Sequence, residues 1–449
     1  MHDLIASLEP EMEYICKVSG ATELSLSVVS GGKEAYAKHL GFRDVEAKKA
    51  PDVDTTYFIG SVTKDMVAAL LGILVEEGGL QWSAHIASIL PELQDSFEAR
   101  VARSDGIWIQ RAGNILLPKS ESIRTWVAQP VVRDFRSGFL YNNYAYGVIG
   151  RAIEKIEGKS LEETFKEKLW EPLGMHRTSM EDIPGNSNAA KAYYAPDDAT
   201  SYGVPIPTIS HETIMRAAGA IRSCTNDLAK YYSNFMHAAN HQFSNKTAST
   251  PNSPFKQLTT ILRPYNQLDL ISFSEQSYAL GSGRAQLPCP LGTLSYNYLL
   301  TAILPMQNSS GLGDACDWIP HMIIQKLSGS TENIDFRQLS SMAAKAAPAL
   351  AEKIEPDLEK GRERGTKHLG LEAYTGHYWN ALHNFRIDVS VRHGRLYMKF
   401  QGIENENYEL RYYYHHSWIW NVSHNDTAKQ GRFPTRPWSS YIIEFNCGD

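Results

Sequence analysis

Cysteine is scarce in this chain. Cys16, Cys224, Cys289, Cys316 and Cys447 are scattered, odd in number and never spaced as C-x-x-C. That pattern excludes a disulfide framework and a structural zinc site, and it fits free thiols in a reducing compartment. The fifteen histidines show no metal-ligand spacing, so neither a metal nor a cofactor is expected. His415 and His416 are adjacent beside a strand-like run and should point to opposite faces. No basic stripe is present: 44 Lys and Arg stand against 50 Asp and Glu, for a net charge of −6. Nucleic acid is therefore not an expected partner. No apolar run approaches a membrane span, and Met1-His2-Asp3-Leu4-Ile5 lacks the basic and apolar regions of a signal peptide. A cytoplasmic protein without a membrane span is the expectation.

What is present describes a globular protein. Hydrophobic residues make up 43% and charged residues 21% of 449 positions, enough for a large core and two domains. Residues 1–20 read as helical, and 22–44 as a β-hairpin turning at Gly31-Gly32. Helices are expected at 62–77, 143–157, 160–169, 314–327 and 335–352. The stretch 236–256, rich in Ser, Asn, Thr and Pro, reads as an exposed loop. A charge-dense segment, 351–368, reads as a linker between a domain at 1–350 and a β-rich domain at 369–449, with a solvated helix end as the alternative. In the latter, short strand-like runs recur from Tyr374 to Phe445 and predict an antiparallel sheet or small barrel.

One short motif carries chemistry. Ser61-Val62-Thr63-Lys64 opens an apolar-periodic stretch in which Met66, Val67, Leu70, Leu71 and Leu74 recur at helical spacing. Lys64 then lies one turn beyond Ser61 on the same side of a helix. A hydroxyl beside an amine can be activated as a nucleophile without a histidine. The same residues also suit a plain helix N-cap and a solvated lysine. A second segment, Tyr141-Asn142-Asn143, begins the 143–157 helix. Taken alone, it reads as Asn143 capping that helix with Tyr141 packed nearby.

Together these segments resemble the serine β-lactamase and penicillin-binding-protein superfamily, in particular its class C, esterase and transesterase branch with lovastatin-acyltransferase-like members. The likeness is carried by 57–64, 139–147, Glu171-Pro172-Leu173-Gly174-Met175 and Ala218-Gly219-Ala220-Ile221-Arg222-Ser223, in that order. More weakly, the stretch from Tyr374 resembles a lipocalin-like C-terminal domain. The resemblance implies an α/β (α+β) fold of β-lactamase/transpeptidase type: an antiparallel sheet flanked by helices, plus a helical lobe, with the site between them. It implies Ser61 as acylated nucleophile, Lys64 and Tyr141 as a shared general base, and Asn143 orienting Lys64 or a substrate amide. The Ser61 backbone N–H would supply one oxyanion donor. The implied substrate is a small-molecule ester or amide, and the implied setting secondary-metabolite biosynthesis. Trp82, Trp108 and Trp126 are candidates for an acyl pocket, with core packing the commoner use of tryptophan.

Two family elements are absent from the sequence. Between Gly281 and Leu300 there is no K-T-G or H-x-G motif. Before Ala102-Arg103-Ser104-Asp105 the expected L-L-x-H-x-S/T-G-L pattern is replaced by Ser96-Phe97-Glu98-Ala99-Arg100-Val101. In the family the first of these supplies an oxyanion N–H and a cation or histidine near the substrate. Its loss leaves two readings: a serine hydrolase or acyltransferase, or a binding protein that kept the fold and lost the chemistry. Esterase action is expected over β-lactam hydrolysis, because the part that holds a substrate carboxylate is the part missing.

Overall fold

The computed structural model describes residues 1–96, 116–129, 137–182, 188–206, 208–268, 276–285, 301–307, 309–329, 334–430 and 437–446. Trp108, the replaced segment before Ala102 and most of the stretch lacking the third motif lie outside these residues.

Glu23–Ser30 is the middle strand of a three-stranded antiparallel sheet, between Lys33–Gly41 and Thr301–Met306. Gly31 and Gly32, with φ of +57° and +77°, make the left-handed two-residue turn that such a hairpin favours. Alternation along the strand sends Leu24, Leu26 and Val28 to one face. There they pack with Met12 and Ile15 of the Glu9–Ser19 helix and Ile319 and Ile323 of the Ala315–Ser328 helix. The opposite face contributes Val29, with Ala302 and Leu304, to the main core. The sheet is thus covered on both sides, which matches the expected antiparallel sheet flanked by helices.

The main core belongs to the helical lobe. Met66, Val67, Leu70, Ile73 and Leu74 come from the Thr63–Glu76 helix, and Val148, Ala152 and Ile153 from Asn143–Glu157. The helix expected at 160–169 runs as Leu161–Phe165 and then widens into a π-turn over Lys166–Trp170. The loop expected at 236–256 is partly a helix instead: Thr225–Asn245 is continuous. Its polar composition conceals one apolar face, with Met236, Ala238, Ala239 and Gln242 buried. Gln242 also accepts from the Leu258 N–H at 2.8 Å and donates to the Phe255 carbonyl at 3.0 Å, closing the following loop onto the helix.

Contacts at Gly150 and at Arg216 help hold the Asn143–Glu157 helix against the short Arg216–Gly219 helix. Gly150 permits the approach, since a Cβ there would lie 2.9 Å from the Ala217 Cβ. Beside it the wholly buried Arg216 guanidinium pairs with Glu154, Nε to Oε1 at 3.3 Å.

The C-terminal part forms a six-stranded antiparallel sheet in simple sequence order from Gly376–Trp379 to Ile442–Glu444. Tyr374, Leu396, Met398, Phe400, Tyr408 and Trp418 fill its own core. Within the stretch expected as linker, Ile354–Lys360 is helical and sends Ile354 and Leu358 into that core. The carbonyl of Leu358 accepts from the Tyr413 hydroxyl at 2.6 Å. His415 and His416 occupy the turn before Ser417–Ile419 and bond to different partners, Glu363 and Tyr374. Contacts with the rest of the chain include Leu116, which packs in this core, and Gln401 and Asn384, which reach the Leu116 carbonyl and Glu121. Among the described residues no helix is long and apolar enough to cross a membrane.

The buried Arg216–Glu154 pair should be the most sensitive joint of the lobe. Glu154→Leu leaves the guanidinium uncompensated, and the expected loss is about 3–5 kcal/mol in urea unfolding. An unchanged midpoint would show that solvent or another group takes over the charge.

Candidate active site

Two short strands bring the family-like segments together. Tyr57–Phe58 pairs antiparallel with Arg222–Ser223, and the Ile59 N–H bonds to the Ile221 carbonyl at 3.0 Å. This ladder places the turn Gly60–Val62 beside the Arg216–Gly219 helix. Thr63 Oγ1 accepts from the Ile221 N–H at 3.3 Å and ties the start of the next helix to the same strand. Ser61 therefore sits in a tight turn, exposed, directly before a helix whose first residues are buried.

Ser61 does not cap that helix, which has no side-chain cap. Its Oγ instead receives two hydrogen bonds, from Lys64 Nζ at 3.1 Å and from the Tyr141 hydroxyl at 2.6 Å. Lys64 is wholly buried rather than solvated, and Nζ also donates to the Ala218 carbonyl at 2.7 Å. Burial disfavours the charged amine and pulls Lys64 down from the usual lysine value to about 7. Burial moves the Tyr141 phenol the other way, upward, against the opposing effect of its bond to Ser61. So near neutral pH the amine is the group that can lose its proton, and the phenol keeps its own.

Asn143 is not the helix cap. Asn142 is, accepting from the Ala145 N–H at 3.0 Å. Asn143 opens the helix with Oδ1 buried and unbonded within the protein. It makes no hydrogen bond to Lys64, whose polar partners are Ser61 and Ala218. Trp126 is packed in the main core, and Trp82 lies at the surface donating to Gln257.

Several neighbours had no clear signal in the sequence. Asp65 is wholly enclosed and accepts from Ser282 Oγ at 2.6 Å and from Tyr231 at 3.1 Å. Burial pushes its carboxyl up, while those two donors act to lower it. Gly281, with φ of +90°, lets the Ser282 loop lie against the Lys64 backbone, where a Cβ would be 2.5 Å from the Lys64 carbonyl oxygen. Tyr278 stacks on Phe139 at 4.6 Å and meets Tyr141 edge-on. Tyr146 presents its ring to Lys64 at 5.3 Å. A charged residue inside an apolar helix face, Asp65 in this chain, is the one hint that sequence offered.

Glu162, Glu181 and His211 are the one group of ligand-type side chains among the described residues close enough to share an ion, within 4.8 Å. They lie outside the Ser61 cluster and are already engaged: Glu162 with Lys166, and His211 with both Glu181 and Glu212.

A family model described as Beta-lactamase matches residues 17–261, and a domain of unknown function, DUF3471, matches 360–449. An unguisins hydrolase of Aspergillus violaceofuscus is 26% identical over 257 residues, covering 51% of this chain and 44% of that protein. A teichoic acid D-alanine hydrolase of Staphylococcus aureus is 23% identical over 200 residues, covering 43% and 50%. The chain spans about half the length of the curated relatives it matches. Among solved structures, an octameric penicillin-binding protein homologue from Pyrococcus abyssi aligns with a TM-score of 0.57 at 19% identity, covering 92% of each chain. EstCE1, a hydrolase with promiscuous acyltransferase activity, aligns with a TM-score of 0.57 at 15% identity, covering 72% of this chain and 98% of its own. Both share the fold.

The buried amine has a cost that stability measurements can read. Its folded value of about 7 lies below the unfolded value of 10.5, so the unfolded chain binds the extra proton between them. Stability from this group therefore rises with pH across that window. Lys64→Met removes the effect. Its stability advantage over the natural protein should shrink by roughly 2–3 kcal/mol between pH 6 and pH 9 in urea titrations. A constant difference would mean that Lys64 is not desolvated.

Proposed function

The chain belongs to the beta-lactamase family, and from that premise we propose that it is a serine hydrolase or acyltransferase acting through a Ser61 acyl-enzyme. The observation that carries this reading is the convergence of Lys64 and Tyr141 on one Ser61 oxygen. The substrate is a small-molecule ester or amide. The relatives named unguisins hydrolase and teichoic acid D-alanine hydrolase support acyl chemistry, as does the neighbour described as a hydrolase with acyltransferase activity.

The proton path follows from the two opposite pKa shifts. Neutral Lys64 reverses its hydrogen bond and accepts the Ser61 proton while Oγ attacks the acyl carbonyl. The backbone N–H of Ser61 serves as one donor to the oxygen that becomes negative. Tyr141, still protonated, gives its hydroxyl proton to the leaving oxygen or nitrogen and is refilled from Lys64. Water or an alcohol then attacks the acyl carbonyl and gives its proton to Lys64, which passes it to Ser61 Oγ as the acyl–oxygen bond breaks, so the serine hydroxyl and the neutral amine are both restored. Asn143 Oδ1, unbonded in the protein, accepts from an amide N–H or hydroxyl of the substrate. The setting in secondary-metabolite biosynthesis, and the C-terminal sheet as a separate domain, belong to the same proposal.

The second reading, a binding protein without chemistry, rests on the missing K-T-G or H-x-G motif. Release of p-nitrophenol from short-chain esters decides between them. Ser61→Ala should reduce turnover on the order of 10³-fold or more, and Tyr141→Phe roughly 10²–10⁴-fold. Intact-protein mass spectrometry should show an acyl adduct on the natural protein and none on Ser61→Ala. Equal background rates with no adduct would favour the binding protein.

A further inference from the structure

Among the described residues, no carboxylate pairs with the ammonium formed when Lys64 takes a proton. Its polar partners are Ser61 Oγ and the Ala218 carbonyl. Asp65, next in sequence, spends its carboxyl on Ser282 and Tyr231. Arg216, on the neighbouring helix, is paired with Glu154. What faces the amine is aromatic: the Tyr141 ring at 4.8 Å and the Tyr146 ring at 5.3 Å. Tyr141 already has its hydroxyl on Ser61, whereas Tyr146 has no hydrogen bond to Ser61 or Lys64. Tyr146 lies in the first turn of the Asn143–Glu157 helix, with Tyr278 adjoining it. It is therefore held in place by elements other than the nucleophile helix.

We propose that Tyr146 is a positioning residue of the site, whose ring face stabilises the Lys64 ammonium and holds it between Ser61 and Tyr141. The catalytic meaning of this rests on the reading of Lys64 as the base; the contact itself does not. A cation over an aromatic face is attracted by the ring quadrupole, and more strongly when both are desolvated. The ring is thus the counterweight to burial. It keeps the amine basic enough to take a serine proton without a carboxylate, whose full charge would keep the amine protonated at neutral pH. Its hydroxyl bonds to Tyr278 rather than to the amine, so phenylalanine, which keeps the ring, should hold the Lys64 midpoint. The other ionisable groups facing this region are Tyr141, Tyr278, Asp65 and Tyr231, and none is replaced in the test.

The test titrates Lys64 directly, by the NMR shift of isotope-labelled lysine ε-carbons, with Lys64→Met identifying the signal. Tyr146→Phe should leave the midpoint where the natural protein has it. Tyr146→Leu and Tyr146→Met, two apolar replacements of different shape, should each lower it by about one pH unit. If the chain turns over esters, the acidic limb of kcat/KM should move down by the same amount in these two variants and stay in place in Tyr146→Phe. Unchanged midpoints in both ring-free variants would overturn the proposal, as would an equal fall in Tyr146→Phe. Should Ser61→Ala retain full turnover, the acyl-enzyme reading fails, while the lysine titration still scores the ring.

Discussion

The site depends on one burial: a lysine amine carried into the protein interior with no carboxylate partner among the described residues. Water would hold that amine protonated and useless as a base. Removing water while offering only a hydroxyl and a carbonyl brings it close to neutrality. Everything around it then has to supply what water no longer does. The Ala218 carbonyl fixes its direction, Ser61 lies at its tip, and aromatic faces rather than charges surround it. A carboxylate in the same place would pin the proton and defeat the arrangement. That gives a physical reason for the neighbouring Asp65 to be turned away and bound by Ser282 and Tyr231.

The scaffold can be understood as the means of keeping that amine dry and aimed. The two-strand ladder of Tyr57–Phe58 and Arg222–Ser223 sets the Ser61 turn against the segment that offers the Ala218 carbonyl. Gly150 and the Arg216–Glu154 pair press the Asn143–Glu157 helix onto that same segment, and the Tyr141 and Tyr146 rings face Lys64. Such a buried ion pair is weak evidence for stability in itself, yet losing one partner is costly. It therefore locks one helix packing more than it strengthens the fold. The core of the C-terminal sheet takes in Leu116 from the rest of the chain, and polar contacts to the Leu116 carbonyl and Glu121 adjoin it.

Much of this was legible in the chain before any coordinates. The periodicity of 62–77 and 143–157 and the alternating runs after Tyr374 each announce an element, because burial of one face leaves a repeat in the sequence. The failure at 236–245 has the same physics in reverse. There the buried face is made of alanine, methionine and one glutamine, so composition masks the helical repeat. The cap of the 143–157 helix is Asn142, one residue before the expected Asn143. Asn142 and Asn143 are chemically alike, and only backbone conformation selects which one turns back to the helix.

By itself the sequence determined the chemistry available: a serine one turn from a lysine, and a tyrosine at the head of a second helix. These are local facts, set by the residue types and by helical geometry. It also determined the family, since ordered segments of the chain agree with it. Only the tertiary structure decided that Lys64 is dry, that Tyr141 and Lys64 meet on one oxygen, and that Asp65 stands apart from both. Those outcomes depend on which surfaces exclude water together, a property of elements distant in the chain that no local pattern records.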